Sequence, residues 1–188
     1  AQRAAILYAA ALASQQLRDT AGAHAFWRQL DALVPASDAA ARRQSAWLGA
    51  ELALAAGQPQ QALDLVERHP APQLRPAVLL HAQAQLALQR PALASERLQT
   101  WVTTHPQDAQ AWQWLAQAWQ AQNQPLRALR AQAEAQVAIR DFSAAQDRLK
   151  AAQDLARRGG NQDHIEASII DTRLRAVTEL LREEARKQ

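Results

Sequence analysis

The residues of this chain best suited to metal binding or proton transfer are its five histidines, His24, His69, His81, His105 and His164. Zinc peptidase chemistry needs two histidines one helical turn apart with a glutamate beside the first, so that both rings reach one ion and the carboxylate activates its water. No such H-E-x-x-H pattern is present: His164-Ile165-Glu166 has no second histidine, and no other pair stands at ligand spacing. His69 and His105 each precede a proline, and proline ends a helix because it lacks an N–H and clashes with the preceding turn. Cysteine is absent, which excludes disulfides and thiolate metal sites. There is no G-x-S-x-G elbow and no glycine-rich phosphate loop; Gly159-Gly160 marks a turn. Glu183-Glu184 belongs to a charged, solvated terminal helix. We therefore expect no catalytic residue, no cofactor and no metal in this chain.

What remains is recognition. The net charge is +3, and the basic residues are spread along the chain, with pairs at Arg42-Arg43 and Arg157-Arg158. Nucleic acid calls for a clustered basic stripe, so no nucleic-acid partner is expected. No apolar run reaches the length of a membrane span. Ala1-Gln2-Arg3 leads straight into helical sequence, with no signal peptide, and methionine is absent; a piece of a longer protein is expected.

The elements that position any recognition surface are set by a repeat. Ala82 and Ala116 lie 34 residues apart, as do Ala94 and Ala128, in a chain rich in alanine and glutamine with only 5 glycines and 8 prolines. Such composition favours helix throughout, and a period of 34 is the tetratricopeptide (TPR) signature. In that pattern small residues at positions 8 and 20 let the two helices of a hairpin touch. The clearest unit starts at Ala109, with Trp112, Leu115, Ala116, Trp119, Ala128 and Ala135 in place and Asn123-Gln124-Pro125 as its turn. The unit from Arg75 carries Ala82, Ala94, Leu98 and Pro106, with Gln89-Arg90-Pro91 as its turn. The unit from Arg43 carries Ala50, Gly57, Ala62 and Val66, and His69-Pro70-Ala71-Pro72 ends it early. The first, from Ala4, carries Leu7, Ala11, Ala23, Trp27, Leu30 and Pro35, with Ala21-Gly22 near its turn and Ser37 or Asp38 capping the next helix.

Ala133 follows Ala116 by 17 residues, half a repeat, and is succeeded by Ala145, Leu149 and Ala152. The helix over 125–139 thus serves twice, closing one unit and opening the next. Arg157-Arg158-Gly159-Gly160-Asn161 closes the following helix. Beyond it, Ile165, Ile169, Ile170, Leu174, Val177 and Leu181 recur at helical spacing. The expected architecture is an all-α, TPR-like helical-hairpin solenoid of about four and a half repeats over residues 1–161, with a capping helix over 162–188 packed on the last repeat.

In a TPR array the first helix of each unit lines the inner face. Its positions place Tyr8, Gln15, Trp47, Glu51 and Gln83 there, followed by the uncharged stripe Gln110, Gln113, Gln117 and Gln120, and by Arg127, Arg130 and Glu134 from the shared helix. Glutamine both donates and accepts hydrogen bonds, so the stripe suits an extended peptide backbone. Tyr8 and Trp47 are anchors if exposed. The lysine and asparagine of a carboxylate-clamp groove are missing.

The C-terminal third has a more specific likeness. Arg130-Ala131-Gln132-Ala133-Glu134, Arg140-Asp141-Phe142-Ser143-Ala144-Ala145, Asp147-Arg148-Leu149 and Ser168-Ile169-Ile170-Asp171-Thr172-Arg173-Leu174-Arg175 together resemble the end of BepA-type periplasmic zinc metallopeptidases, the β-barrel-assembly-enhancing proteases. Ile169 replaces an arginine of that pattern, and Asp147-Arg148-Leu149 departs from its E-Q-L. The resemblance implies a periplasmic parent whose zinc protease domain lies outside this sequence. It implies a repeat domain that docks substrate, the outer-membrane assembly machinery or its own protease domain. A stand-alone TPR adaptor needs only the repeats.

Overall fold

The computed structural model describes residues 2–158 and 163–186, and among these are ten α-helices and no strand. They are α1 (Gln2–Gln16), α2 (Thr20–Leu33), α3 (Ala39–Ala55), α4 (Pro59–Arg68), α5 (Arg75–Ala87), α6 (Pro91–Thr104), α7 (Ala109–Ala121), α8 (Pro125–Ala138), α9 (Phe142–Arg158) and α10 (His164–Ala185). Two compact units divide the chain, residues 1–90 and 91–188.

Turn chemistry sets the order of the helices. After α1, α3, α5, α7 and α8 the chain makes the same three-residue turn, with one residue in the left-handed region: Arg18, Gly57, Gln89, Asn123 and Arg140, at φ between 55° and 71°. In each, the next N–H bonds back five residues (Asp19 to Ser14, Gln58 to Ala53, Arg90 to Gln85, Gln124 to Trp119, Asp141 to Gln136). This is the Schellman closure, which satisfies carbonyls that a helix end leaves without partners. The following helix starts at once. A carboxylate caps it at Asp19 and Asp141, whose side chains accept from the N–H of Gly22 (2.8 Å) and Ala144 (2.9 Å). A proline in its first turn starts it at Pro59, Pro91 and Pro125. Asp38 and Asp108 cap α3 and α7 after the longer connections. The turn after α8 is thus of the within-hairpin kind, as the half-repeat step requires. Gly22 is not at the first turn, which falls at Leu17–Asp19; it lies inside α2, where the capping carboxylate of Asp19 leaves no room for a Cβ. Gly159, Gly160 and Asn161, the expected closure of α9, lie outside the described residues, as does the expected boundary at 161/162.

The small residues lie where the repeat places them. Ala11, Ala23, Ala50, Ala62, Ala82, Ala94, Ala116, Ala128, Ala133 and Ala145 are all 2% exposed or less. In residues 1–90, α1 packs on α2, α2 on α3, and α3 on α4 and α5. Trp27 of α2 lies on Gly49 of α3 so closely that any Cβ there would run into the indole. Its Nε1 donates to the Ser45 carbonyl at 2.8 Å, and Ser45 Oγ donates to Asp31 at 2.7 Å. Trp27 and Asp31 on one helix thus meet Ser45 and Gly49 on the other, each pair one turn apart.

In residues 91–188, Gln122 ties the end of α7 to the start of α6 by donating to Ser95 Oγ (2.8 Å) and the Pro91 carbonyl (3.2 Å). Trp101 is buried and donates to the Asp108 cap at 3.0 Å, with His105 stacked on it 3.6 Å away. A core of Ala133, Phe142, Ala145, Leu149, Ala152, Ile170 and Val177 joins α8, α9 and α10.

Candidate functional site

Among the described residues no three His, Cys, Asp or Glu side chains stand where they would hold a metal ion, so these residues do not fit the zinc that the sequence resemblance implies for a parent protein. No helix of the described residues is long and apolar enough to cross a membrane. A recess of about 490 Å³ between the starts of α8 and α10 and the end of α9 is bordered by Arg127, Asp163 and His164.

The candidate recognition residues fall into two sets, one in each unit. In residues 1–90, Tyr8 is exposed and Gln15 half-buried, both on α1. Trp47 and Glu51 are one turn apart on α3 and so share a face, and α5, which packs on α3, carries half-buried Gln83. Trp47 rests against the core of α3, α4 and α5, and its buried indole N–H finds no acceptor among the described residues. Glu51 is exposed as a residue, yet partial burial of its carboxyl pushes its pKa up, with no cation acting to pull it down.

In residues 91–188, Gln110, Gln113, Gln117 and Gln120 are all exposed, while Ala111, Leu115, Ala116, Ala118 and Trp119 on the rest of α7 are buried. Trp112 and Trp114 are half-buried; Trp112 donates to the Pro106 carbonyl at 2.9 Å.

Three expected contact residues have other work. Arg130 bonds Glu166 of α10 through Nε, with a second contact from its Nη2 at 3.4 Å. Glu134 takes a two-pronged bond from Arg173 of α10, at 2.6 and 2.7 Å. Arg127 lies 5.1 Å over the Trp119 ring and 3.9 Å from the Glu166 carboxylate. These residues were expected to face a partner; Arg130 and Glu134 instead face α10. The physical reason is the doubled role of α8. It opens a hairpin with α9, and α10 runs alongside it where the first helix of a following unit would lie.

The same contact corrects the reading of α10. Ile165 and Ile169 were expected on its apolar face but are exposed, Ile165 at 77%. Ile170 and Val177 are buried and Leu174 and Leu181 pack against the same core, as expected; only the first turn and a half departs, where Glu166 in place of Ile165 is buried. Glu166 is 4% exposed, a position a carboxylate occupies only when paired, and Arg130 supplies the pair. The Glu134 bond raises the Arg173 pKa further above its ordinary value, against the opposing effect of burial. Neither Glu166 nor Arg173 was singled out from sequence. The available signal was complementary charge: Arg130 and Glu134 one turn apart on α8, Glu166 and Arg173 two turns apart on α10.

No family model and no curated protein matches the chain. Among solved structures it is similar to the MamA RS-1 ArsTM double mutant, with a TM-score of 0.61 and 15% identity over 98% of this chain and 97% of that one. That protein is TPR-like and helical, and the likeness establishes the same fold class here: all-α, a TPR-like helical solenoid.

Proposed function

We propose that this chain is a protein-interaction domain that takes an extended peptide or an exposed protein segment along the first-helix faces of its repeats. The observation that supports this is the split character of α3 and α7. One face of each is packed to near-zero exposure, and the other offers Trp47 and Glu51, or Gln113, Gln117 and Gln120, to solvent. Amide side chains at one-turn spacing meet backbone N–H and C=O groups without demanding one sequence, and aromatic side chains supply area at low entropy cost. The test is a titration of the whole ¹⁵N-labelled chain with a panel of unstructured decapeptides. Localised shifts in α3 or α7 are expected; no shift with any peptide at millimolar concentration contradicts the reading.

The finer proposal is that the parent is a periplasmic BepA-type zinc metallopeptidase, in which this domain docks substrate, outer-membrane assembly partners or the protease domain itself. It rests on the tail resemblance alone. Several of the residues that carry it, Arg130, Glu134 and Arg173, are those that hold α10 on α8. The native gene decides: an upstream H-E-x-x-H domain behind a signal peptide supports the protease parent, and repeats alone leave a stand-alone adaptor.

A further inference from the structure

Residues 1–90 contain six acidic side chains, and four of them are used locally. Asp19 and Asp38 cap helices, Asp31 accepts from Ser45, and Asp64 accepts from Gln60 at 2.8 Å. Glu67 lies on α4, away from the first-helix faces. Glu51 is different. It lies on α3, one turn after Trp47, between the buried residues Ala50 and Leu52, with no hydrogen-bond or ion-pair partner among the described residues. Glu51 is exposed and unpartnered one turn from the Trp47 side chain, so a cation from outside can meet it without displacing one.

We infer that the α3 face binds a basic side chain, arginine in particular, of an extended peptide, with Glu51 as the counter-charge and the Trp47 ring as the wall beside it. Charge and shape select the occupant. Arginine carries a planar guanidinium that lies against an aromatic face while its N–H groups bond a carboxylate, whereas an ammonium does only the second well. The chain already pairs these groups elsewhere, with Arg127 over Trp119 and near Glu166. An acidic side chain is repelled at this face, and a neutral amide donates one hydrogen bond to the carboxylate without a charge of its own. This inference names the partner chemistry of the surface proposed above and rests on that reading.

The experiment uses the whole chain and three fluorescein-labelled Gly/Ser decapeptides that differ only in a central arginine, glutamine or glutamate. Binding is read by anisotropy, and its location by ¹⁵N shifts of the Trp47 indole and Glu51 amide. The arginine peptide is expected to bind roughly ten-fold more tightly than the glutamine peptide, and the glutamate peptide more weakly than either. In Glu51→Gln, whose fold is checked by circular dichroism, the arginine advantage should vanish, so that the arginine and glutamine peptides bind alike. Equal binding of arginine and glutamine peptides, or an arginine advantage that survives Glu51→Gln, overturns the inference and leaves peptide binding standing. Failure of all three peptides overturns both.

Discussion

The first-helix faces of the two units treat charge in opposite ways. On α8 the charges at Arg130 and Glu134 are met from within by Glu166 and Arg173 of α10. On α3 the one carboxylate, Glu51, is met by nothing among the described residues. The sequence pattern assigns both sets to the same kind of surface. The difference shows that a position in a repeat sets which way a side chain points, and the next helix decides whether solvent or protein meets it.

The comparison breaks most sharply at Glu166. Arg130→Ala leaves a buried carboxylate without its main partner and should cost about 3 kcal/mol of stability. Arg130→Met with Glu166→Leu should recover most of that loss, since a packed apolar pair avoids the desolvation of the charges. Urea denaturation of the three proteins checks both statements. In the other unit Gly49→Ala should cost about 2 kcal/mol, because the added methyl group meets an indole whose N–H is tied to Ser45 and cannot swing aside. A thermal melt of that variant showing no loss would mean that α2 and α3 separate easily.

A smaller effect belongs to the turns. Arg140→Gly should stabilise by about 0.5 kcal/mol, since the left-handed φ of 65° costs an L-residue more than glycine loses in chain entropy. Gly57→Ala, at φ 71°, should move the other way by a similar amount. The smallest effect is at Glu51. Its folded pKa is raised by burial, so the folded state holds the proton more tightly than the unfolded chain does. That contribution is fully present below the ordinary carboxylate pKa of the unfolded chain and is lost as pH rises from there through the folded one, above which the profile is flat. Glu51→Gln should flatten the melting temperature over that window and raise it slightly at neutral pH. An unchanged pH profile would show that the carboxyl is fully hydrated.

Much of the fold was legible because its determinants are local. Alanines at fixed spacing mark where helices cross, since no larger residue allows that approach, and Gln89-Arg90-Pro91 and Asn123-Gln124-Pro125 announce their turns. The half-repeat step at Ala133 was legible for the same reason, and the Schellman turn at Arg140 agrees with it. Ala21-Gly22 marked the neighbourhood of the first turn but not the turn itself, which falls at Leu17–Asp19. Here Asp19, three residues before Gly22, starts the helix and uses the space that a side chain would fill. On α10 the expected residues Ile170, Leu174, Val177 and Leu181 do meet the core, and only Ile165 and Ile169 were misplaced, because they satisfy helical periodicity as well as the inward residues do. What meets Glu166 inside is Arg130, 36 residues distant in sequence. The pattern of one helix does not contain that information. The candidate site was legible as a list of outward positions; which of them α10 claims was not.

The most direct test sets the two faces against each other in one experiment. Glu51→Gln and Arg173→Gln are compared for stability and for binding of the arginine decapeptide. The account predicts that Glu51→Gln keeps its stability and loses the arginine preference, whereas Arg173→Gln loses stability and keeps that preference under folding conditions. The reverse pattern, with the preference following Arg173 and indifferent to Glu51, would contradict it.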